Sequence, residues 1–284
     1  MTPEIGAGIL FGVLALFLLM IGVKRGFFLF SPLSWNVPIL FRHLIGAFAV
    51  YFIVELFLSG VAVSFFRSDL VNNYIVYASG LNFGLALLIA LSLFAYWRTL
   101  PPLVRNGILF RPGQTHSARN DLSQALYAWI LAFPLVLSLS QILEEVVRKV
   151  FNQVQLPDQM AVRFLKAAFE QPASFFFAVV SIIILAPLVE ESLFRGFLQT
   201  FIRRHLGPKY AIIVTSACFA LFHYSAGQGY GNISIILSLF TFALFLGFLY
   251  EKQGSLLAPM FLHSAFNSIS VINLYLFGGF TTSL

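Results

Sequence analysis

The sequence predicts an all-helical, polytopic membrane protein of about eight transmembrane helices with a polar site inside the bundle. Three observations carry this reading. Of the 284 residues, 59% are hydrophobic and only 10% are charged, whereas an ordinary soluble domain has about 25% charged residues. The mean hydropathy is +0.89, so the solvent of this chain is largely lipid. The apolar stretches are continuous rather than alternating, which argues against an outer-membrane barrel.

Crossing the hydrocarbon takes ~20 apolar residues, and the candidate spans on that scale are 5–23, 39–63, 74–97, 122–143, 172–202, 209–226, 232–250 and 255–278. The first opens "MTPEIGAGIL", with Glu4 as its first charge and the basic pair Lys24 and Arg25 after the apolar run. That order predicts a retained span rather than a cleaved secretory signal. Gly8 and Gly12 make it a candidate GxxxG contact helix. Between the fourth and fifth spans, residues 144–171 read as an amphipathic surface helix of mixed charge. The glutamates of its "LEEVVRKV" fall on a solvated face beside Arg148 and Lys149. "YSAGQGYGN", after the sixth span, reads as a glycine-rich turn. No repeat or low-complexity tract divides the chain, so 1–284 reads as a single integral membrane domain.

The net charge of +6 and pI near 9.6 fit loop basicity rather than nucleic-acid binding. Eleven of the 17 Lys and Arg residues lie in the odd-to-even connections: Lys24, Arg25 and Arg42, then Arg98, Arg105, Arg111 and Arg119, then Arg203, Arg204 and Lys209, and finally Lys252. Five lie on the other side, namely Arg67, Arg148, Lys149, Arg163 and Lys166. This bias predicts cytoplasmic odd-to-even loops, both termini outside, a location in the cell membrane and a site reached from the cytoplasmic side. Cys218 is the single cysteine, so no intrachain disulfide or cysteine-based zinc site is expected. It reads as a small packing residue.

Ionisable groups inside a span are costly and mark function by default. The fifth span ends in "PLVEESLFRG", the sixth holds "CFALFHY" and the eighth "MFLHSAFNS". Glu191 and Arg195 are four apart on one helical face, in the favoured order for an ion pair. Glu190 then points about 100° away without that partner, a setting that raises a carboxyl towards the range useful for a general base. His263 and Asn267 share one face, as do Phe219 and His223, and Phe219 is expected to pack beside the imidazole. At 1.5 Å per residue, Glu190 lies roughly 20 Å from Arg203, His223 roughly 21 Å from Lys209, and His263 and Asn267 roughly 16 and 22 Å from Lys252. Three helices thus bring polar groups to similar depth.

This set offers a base, two imidazoles and a carboxamide but no evident nucleophile. Cys218 and His223 fall on different faces, and no aspartate accompanies Ser264. Water-mediated amide hydrolysis suits it, with Glu190 and His223 deprotonating a water and His263 and Asn267 donating to the oxyanion. A zinc ion on two Glu and two His is a weaker alternative, because HExxH is absent. A scaffold or transporter using the same groups as helix glue or proton relay also remains open, although the internal symmetry common in transporters is missing.

"EESLFR", "FALFH" and "HSAFN" fit EExxxR, FxxxH and HxxxN, in that order on successive late spans. In this the chain resembles the type II CAAX prenyl endopeptidases, also called the CPBP or Abi family, over about 172–278. The resemblance implies an intramembrane glutamate peptidase of about eight helices with its catalytic core at 172–278. It implies that Glu190 and His223 activate water, that His263 and Asn267 form the oxyanion hole, and that Glu191 and Arg195 support the site. No resident cofactor is expected. The implied partner is a membrane-associated peptide or a lipidated protein tail.

Overall fold

The computed structural model describes residues 3–29, 36–65, 74–112, 116–153, 156 and 160–277. Its helices are α1 Pro3–Lys24, α2 Phe41–Phe65, α3 Tyr74–Thr99, α4 Pro102–Leu109, α5 Ala118–Val150, α6 Met160–Ala168, α7 Pro172–Val180, α8 Ala186–Glu191, α9 Thr200–Phe222, α10 Gly231–Gln253 and α11 Leu257–Phe277. Wide π-type turns at Ser181–Leu185 and Ser192–Gln199 join α7 to α8 and α8 to α9. No strand occurs among the described residues. Among the described residues, five segments are long and apolar enough to cross a membrane: Ile5–Lys24, Tyr77–Thr99, Ala118–Val150, Pro172–Phe222 and Gly231–Gln253.

The segment Pro172–Phe222 is two limbs. At Gly207 the backbone adopts φ 80° and ψ 173°, and Pro208 follows. Glycine accepts the positive φ without a steric penalty, and the proline has no amide to continue the helical ladder. The chain therefore turns back close to the expected boundary between the fifth and sixth spans.

Helix α5 is the axis of the bundle and packs against α1, α10 and α11. Close approach of α1 depends on small residues. A Cβ at Gly8 would meet Ile142 at 3.0 Å, and one at Gly12 would meet the Ser138 hydroxyl at 2.9 Å. Ser138 Oγ donates to Gly8 O at 2.7 Å, so the GxxxG face is a helix contact. A second core joins α2 and α3 to the 186–199 stretch through Leu93, Val189, Phe194 and Phe197.

Contacts between the ends of helices sort them into two faces. On the basic face, Lys252 Nζ donates to Phe27 O at 2.7 Å, Ser255 Oγ to Asp121 Oδ2 at 2.6 Å and Arg204 Nη1 to Ile39 O at 2.6 Å. On the opposite face, the Phe151 and Tyr230 rings stack at 4.0 Å and Phe169 meets Tyr275 at 5.6 Å. Helices α5 and α11 run from the basic face to the opposite one, and α10 runs back.

Three expectations are corrected here. Residues 144–171 do not form one surface helix: α5 continues to Val150 and α6 begins at Met160. Within that continuation Glu145 is only 4% exposed, because adjacent residues diverge by about 100° and only Glu144 turns outward. Cys218 is exposed rather than packed. Arg67, counted in the orientation argument, lies outside the described residues.

Candidate active site

The short helix α8 carries both glutamates, with a widened turn on each side. Pro187 explains the first of these. It has no N–H for a carbonyl one turn back, and the Ala186 N–H is directed to Ser181 O. The Asn267 amide meets this deficit, donating to Ile182 O at 2.8 Å. A polar side chain of α11 is thereby fixed against the helix that presents Glu190.

Glu191 and Arg195 form a fully enclosed ion pair, Nη1 to Oε1 at 3.0 Å, with neither side chain exposed. Arg195 Nη2 also donates to Ala243 O at 3.1 Å, and the guanidinium lies 4.7 Å from the Phe219 ring centroid. Burial of two charges is tolerable only with such pairing and extra hydrogen bonds. Phe219 packs beside His223, with ring centroids 4.8 Å apart.

Both histidines have their Nδ1 occupied. His263 Nδ1 meets Glu191 Oε1 at 2.8 Å, an oxygen that also accepts from Arg195. His223 Nδ1 meets Phe219 O at 2.8 Å. A carbonyl or an ionised carboxylate can only accept, so each Nδ1 carries the proton and donates. In the neutral form each Nε2 is therefore an acceptor. These two nitrogens face Glu190 Oε2, at 3.8 Å for His223 and 4.0 Å for His263. Both separations exceed a direct hydrogen bond and suit a bridge through one donor such as water.

Glu190, Phe219, His223, His263 and Asn267 all line one cavity of about 590 Å3. Glu191 and Arg195 stand behind it. The carboxylate and imidazoles are chemically suited to zinc, but Glu191 is committed to Arg195 and His263. Among the described residues no three His, Cys, Asp or Glu side chains are placed to hold a metal ion.

The cavity runs away from the basic loops. Its lining continues through Ser140, Glu144, Leu156, Gly231 and Leu274, all towards the face opposite the basic loops. The depth arithmetic gives the reason. A site roughly 16–22 Å from the basic boundary of a core about 30 Å thick lies nearer the far side.

A second buried polar cluster lies at the basic face and was not singled out from the sequence. Glu251 is 2% exposed. It accepts from Gln199 Nε2 at 3.0 Å and pairs with Arg203 Nε at 2.8 Å. Arg111 Nη2 donates to the Glu251 carbonyl. Glu251 ends an apolar run, a position that reads as an interfacial charge. Only the fold brings Gln199 and Arg203 over it.

No curated protein and no solved structure matches the chain. Residues 172–269 match the family model of the Rce1-like type II CAAX prenyl endopeptidases, and the stretch that is similar to this family holds Glu190, Glu191, Arg195, Phe219, His223, His263 and Asn267.

Proposed function

We propose that the chain is an intramembrane endopeptidase that cuts a membrane-associated or lipidated peptide with a water held by Glu190 and His223. The observation that carries this reading is the convergence of three acceptors, Glu190 Oε2 and the two Nε2 atoms, at the inner end of the cavity. Three acceptors facing one point call for a donor, and a water molecule supplies two O–H groups. Glu190 takes one proton as the water oxygen bonds to the scissile carbonyl carbon. The same proton passes to the leaving amine when the C–N bond breaks, so water is consumed and no group remains on the protein.

His263 stabilises the oxyanion once it carries a second proton, on Nε2. Glu191 fixes the orientation of that ring through its bond to Nδ1, as a buried carboxylate does behind a catalytic histidine. Asn267 has one amide N–H committed to Ile182 O and a second available for the oxyanion. Eight spans complete this reading, with the α2, α11 and two-limbed 172–222 segments crossing alongside the other helices, 172–278 as catalytic core and 1–284 as one membrane unit.

The basic bias places the 24–42, 98–119, 203–209 and 252 connections in the cytoplasm of a cell-membrane protein. The cavity then faces the outer side. In a Cys218→Ser background, an impermeant maleimide added to intact cells labels Gln153→Cys and leaves Arg25→Cys unlabelled; the reverse pattern inverts the orientation.

The function itself is tested by comparing membrane peptides from cells carrying wild type or Glu190→Gln. A peptide that accumulates uncut in the variant names the substrate. Identical peptide pools, or a folded Glu190→Ala or His223→Ala protein that keeps its phenotype, leave a scaffold or transporter. Chelator-sensitive cleavage together with stoichiometric metal in the purified protein would replace the water-on-glutamate reading by a metal-dependent one.

A further inference from the structure

The cavity continues well beyond the groups that the proposed chemistry uses. Three helices line it over matching stretches of twelve residues, eleven rises each: Phe133 to Glu144 on α5, Gly231 to Phe242 on α10, and His263 to Leu274 on α11. At 1.5 Å per residue this is about 16 Å of depth. Its inner end is aromatic. Phe242 lies 4.3 Å from Phe266 and 5.5 Å from His263, and Phe133 lies 5.7 Å from Phe266. Further out, Ser140, Ser234, Ser238, Ser270 and Asn273 stand on the wall among apolar side chains such as Leu156, Val162 and Leu165.

Two features of that wall point to a ligand. Ser238 is 6% exposed, and its hydroxyl has no hydrogen-bond partner. A buried hydroxyl left so is costly, and this one lines the cavity. Glu144, at the mouth, accepts from Ser140 Oγ at 3.0 Å and forms no ion pair among the described residues. The nearby cations are turned away from it: Arg148 and Lys149 both pair with Glu145. The charged side chains on the described wall are two carboxylates, Glu144 and Glu190, with no Lys or Arg.

We propose that this outer cavity is the binding channel for a cationic peptide segment, in which Glu144 receives a Lys, Arg or α-amino group. The proposal rests on the peptidase reading. An extended chain advances ~3.3 Å per residue, so about 16 Å holds about five residues. Glu144 thus meets a residue roughly four or five positions from the bond presented to Glu190. Ser238 and the other hydroxyls serve the peptide backbone between them. A wall without a cation gives no counter-charge to a peptide's terminal carboxylate, which favours cleavage within a chain.

The test uses the full-length protein in proteoliposomes and quenched-fluorescent ten-residue peptides. Each has a neutral background and a single Lys, Gln or Glu at one position on either side of the cut. Cleavage is measured with wild type, Glu144→Gln and Glu144→Lys, and binding with the same substitutions placed on Glu190→Gln. The expected result is a preference of about tenfold or more for Lys over Glu four or five residues from the cut, in binding and in kcat/KM. Glu144→Gln removes the preference and Glu144→Lys reverses it. Unchanged preference in both Glu144 variants overturns the proposal, as does Glu190-dependent cleavage indifferent to charge; the peptidase reading survives either result. Charge-selective binding that Glu144→Lys reverses, with no peptide cut by wild type, keeps the channel, and the peptidase reading then falls only if the membrane peptides of wild-type and Glu190→Gln cells are also identical.

Discussion

Two buried polar centres sit about two helical turns apart on the 186–206 limb, and they differ in what their charges face. At the basic face, both Glu251 oxygens are met, one by Gln199 and one by Arg203, and Tyr250 and Thr200 share a hydrogen bond of 2.9 Å beside them. Towards the opposite face, Arg195 and His263 both meet Glu191 Oε1, and the second oxygens of Glu191 and Glu190 are unpartnered among the described residues, but only Glu190 looks into a cavity. A buried charge whose partners are all supplied by the fold is part of the architecture. A buried charge that faces a cavity beside two imidazoles is equipped for a reactant.

Substitutions at the two centres should therefore fail in different ways. The largest effect is expected at Glu190→Gln, with peptide cleavage falling by about 10²–10⁴-fold while the thermal midpoint stays close to wild type. A large loss of stability with proportionate loss of activity would reduce Glu190 to architecture. Glu251→Ala should do the opposite, destabilising the protein by about 3–5 kcal/mol, because Arg203 and Arg111 remain buried without the carboxylate. Chemical denaturation in detergent measures this, and the fraction still folded should cleave with an unchanged KM. A catalytic defect in that fraction would extend the reactive centre to the basic face.

Asn267 belongs to both categories and sharpens the contrast. Asn267→Ala should cost about 1–3 kcal/mol in stability through the lost donor to Ile182 O. It should also lower kcat by about 10²–10³-fold if its second N–H meets the oxyanion. A stability loss without the kcat loss would make it a clamp for the Pro187 turn alone. Away from both centres, Ser138→Ala should remove only the bond to Gly8 O, at about 0.6 kcal/mol, with activity unchanged. A larger loss in a melting curve would make the α1 contact a third determinant of the bundle.

Much of the site was legible because its spacing is local. Glu191 with Arg195, and Phe219 with His223, are pairs within one helical segment, and helical geometry brings such partners together. The Gly207–Pro208 break falls in the expected gap between the fifth and sixth spans, although neither residue was singled out. What could not be read were relations between segments. Glu145 was assigned to solvent because no periodic signal shows that α5 runs on past residue 143. The Glu251 cluster needs Gln199 and Arg203 from one distant stretch and Arg111 from another. Asn267 read as an oxyanion donor, whereas its observed partner is a carbonyl that Pro187 sets free some 80 residues earlier.

By itself the sequence determined the solvent of this protein, the approximate course of its long apolar helices, and which few side chains carry a polar group within them. Those properties follow from hydrophobicity and backbone stereochemistry, which operate residue by residue. The tertiary structure alone decided which nitrogen of each histidine faces Glu190, which buried charges are already satisfied, and towards which face the cavity runs. Each of these depends on distances between helices remote in sequence, and such distances are set by packing.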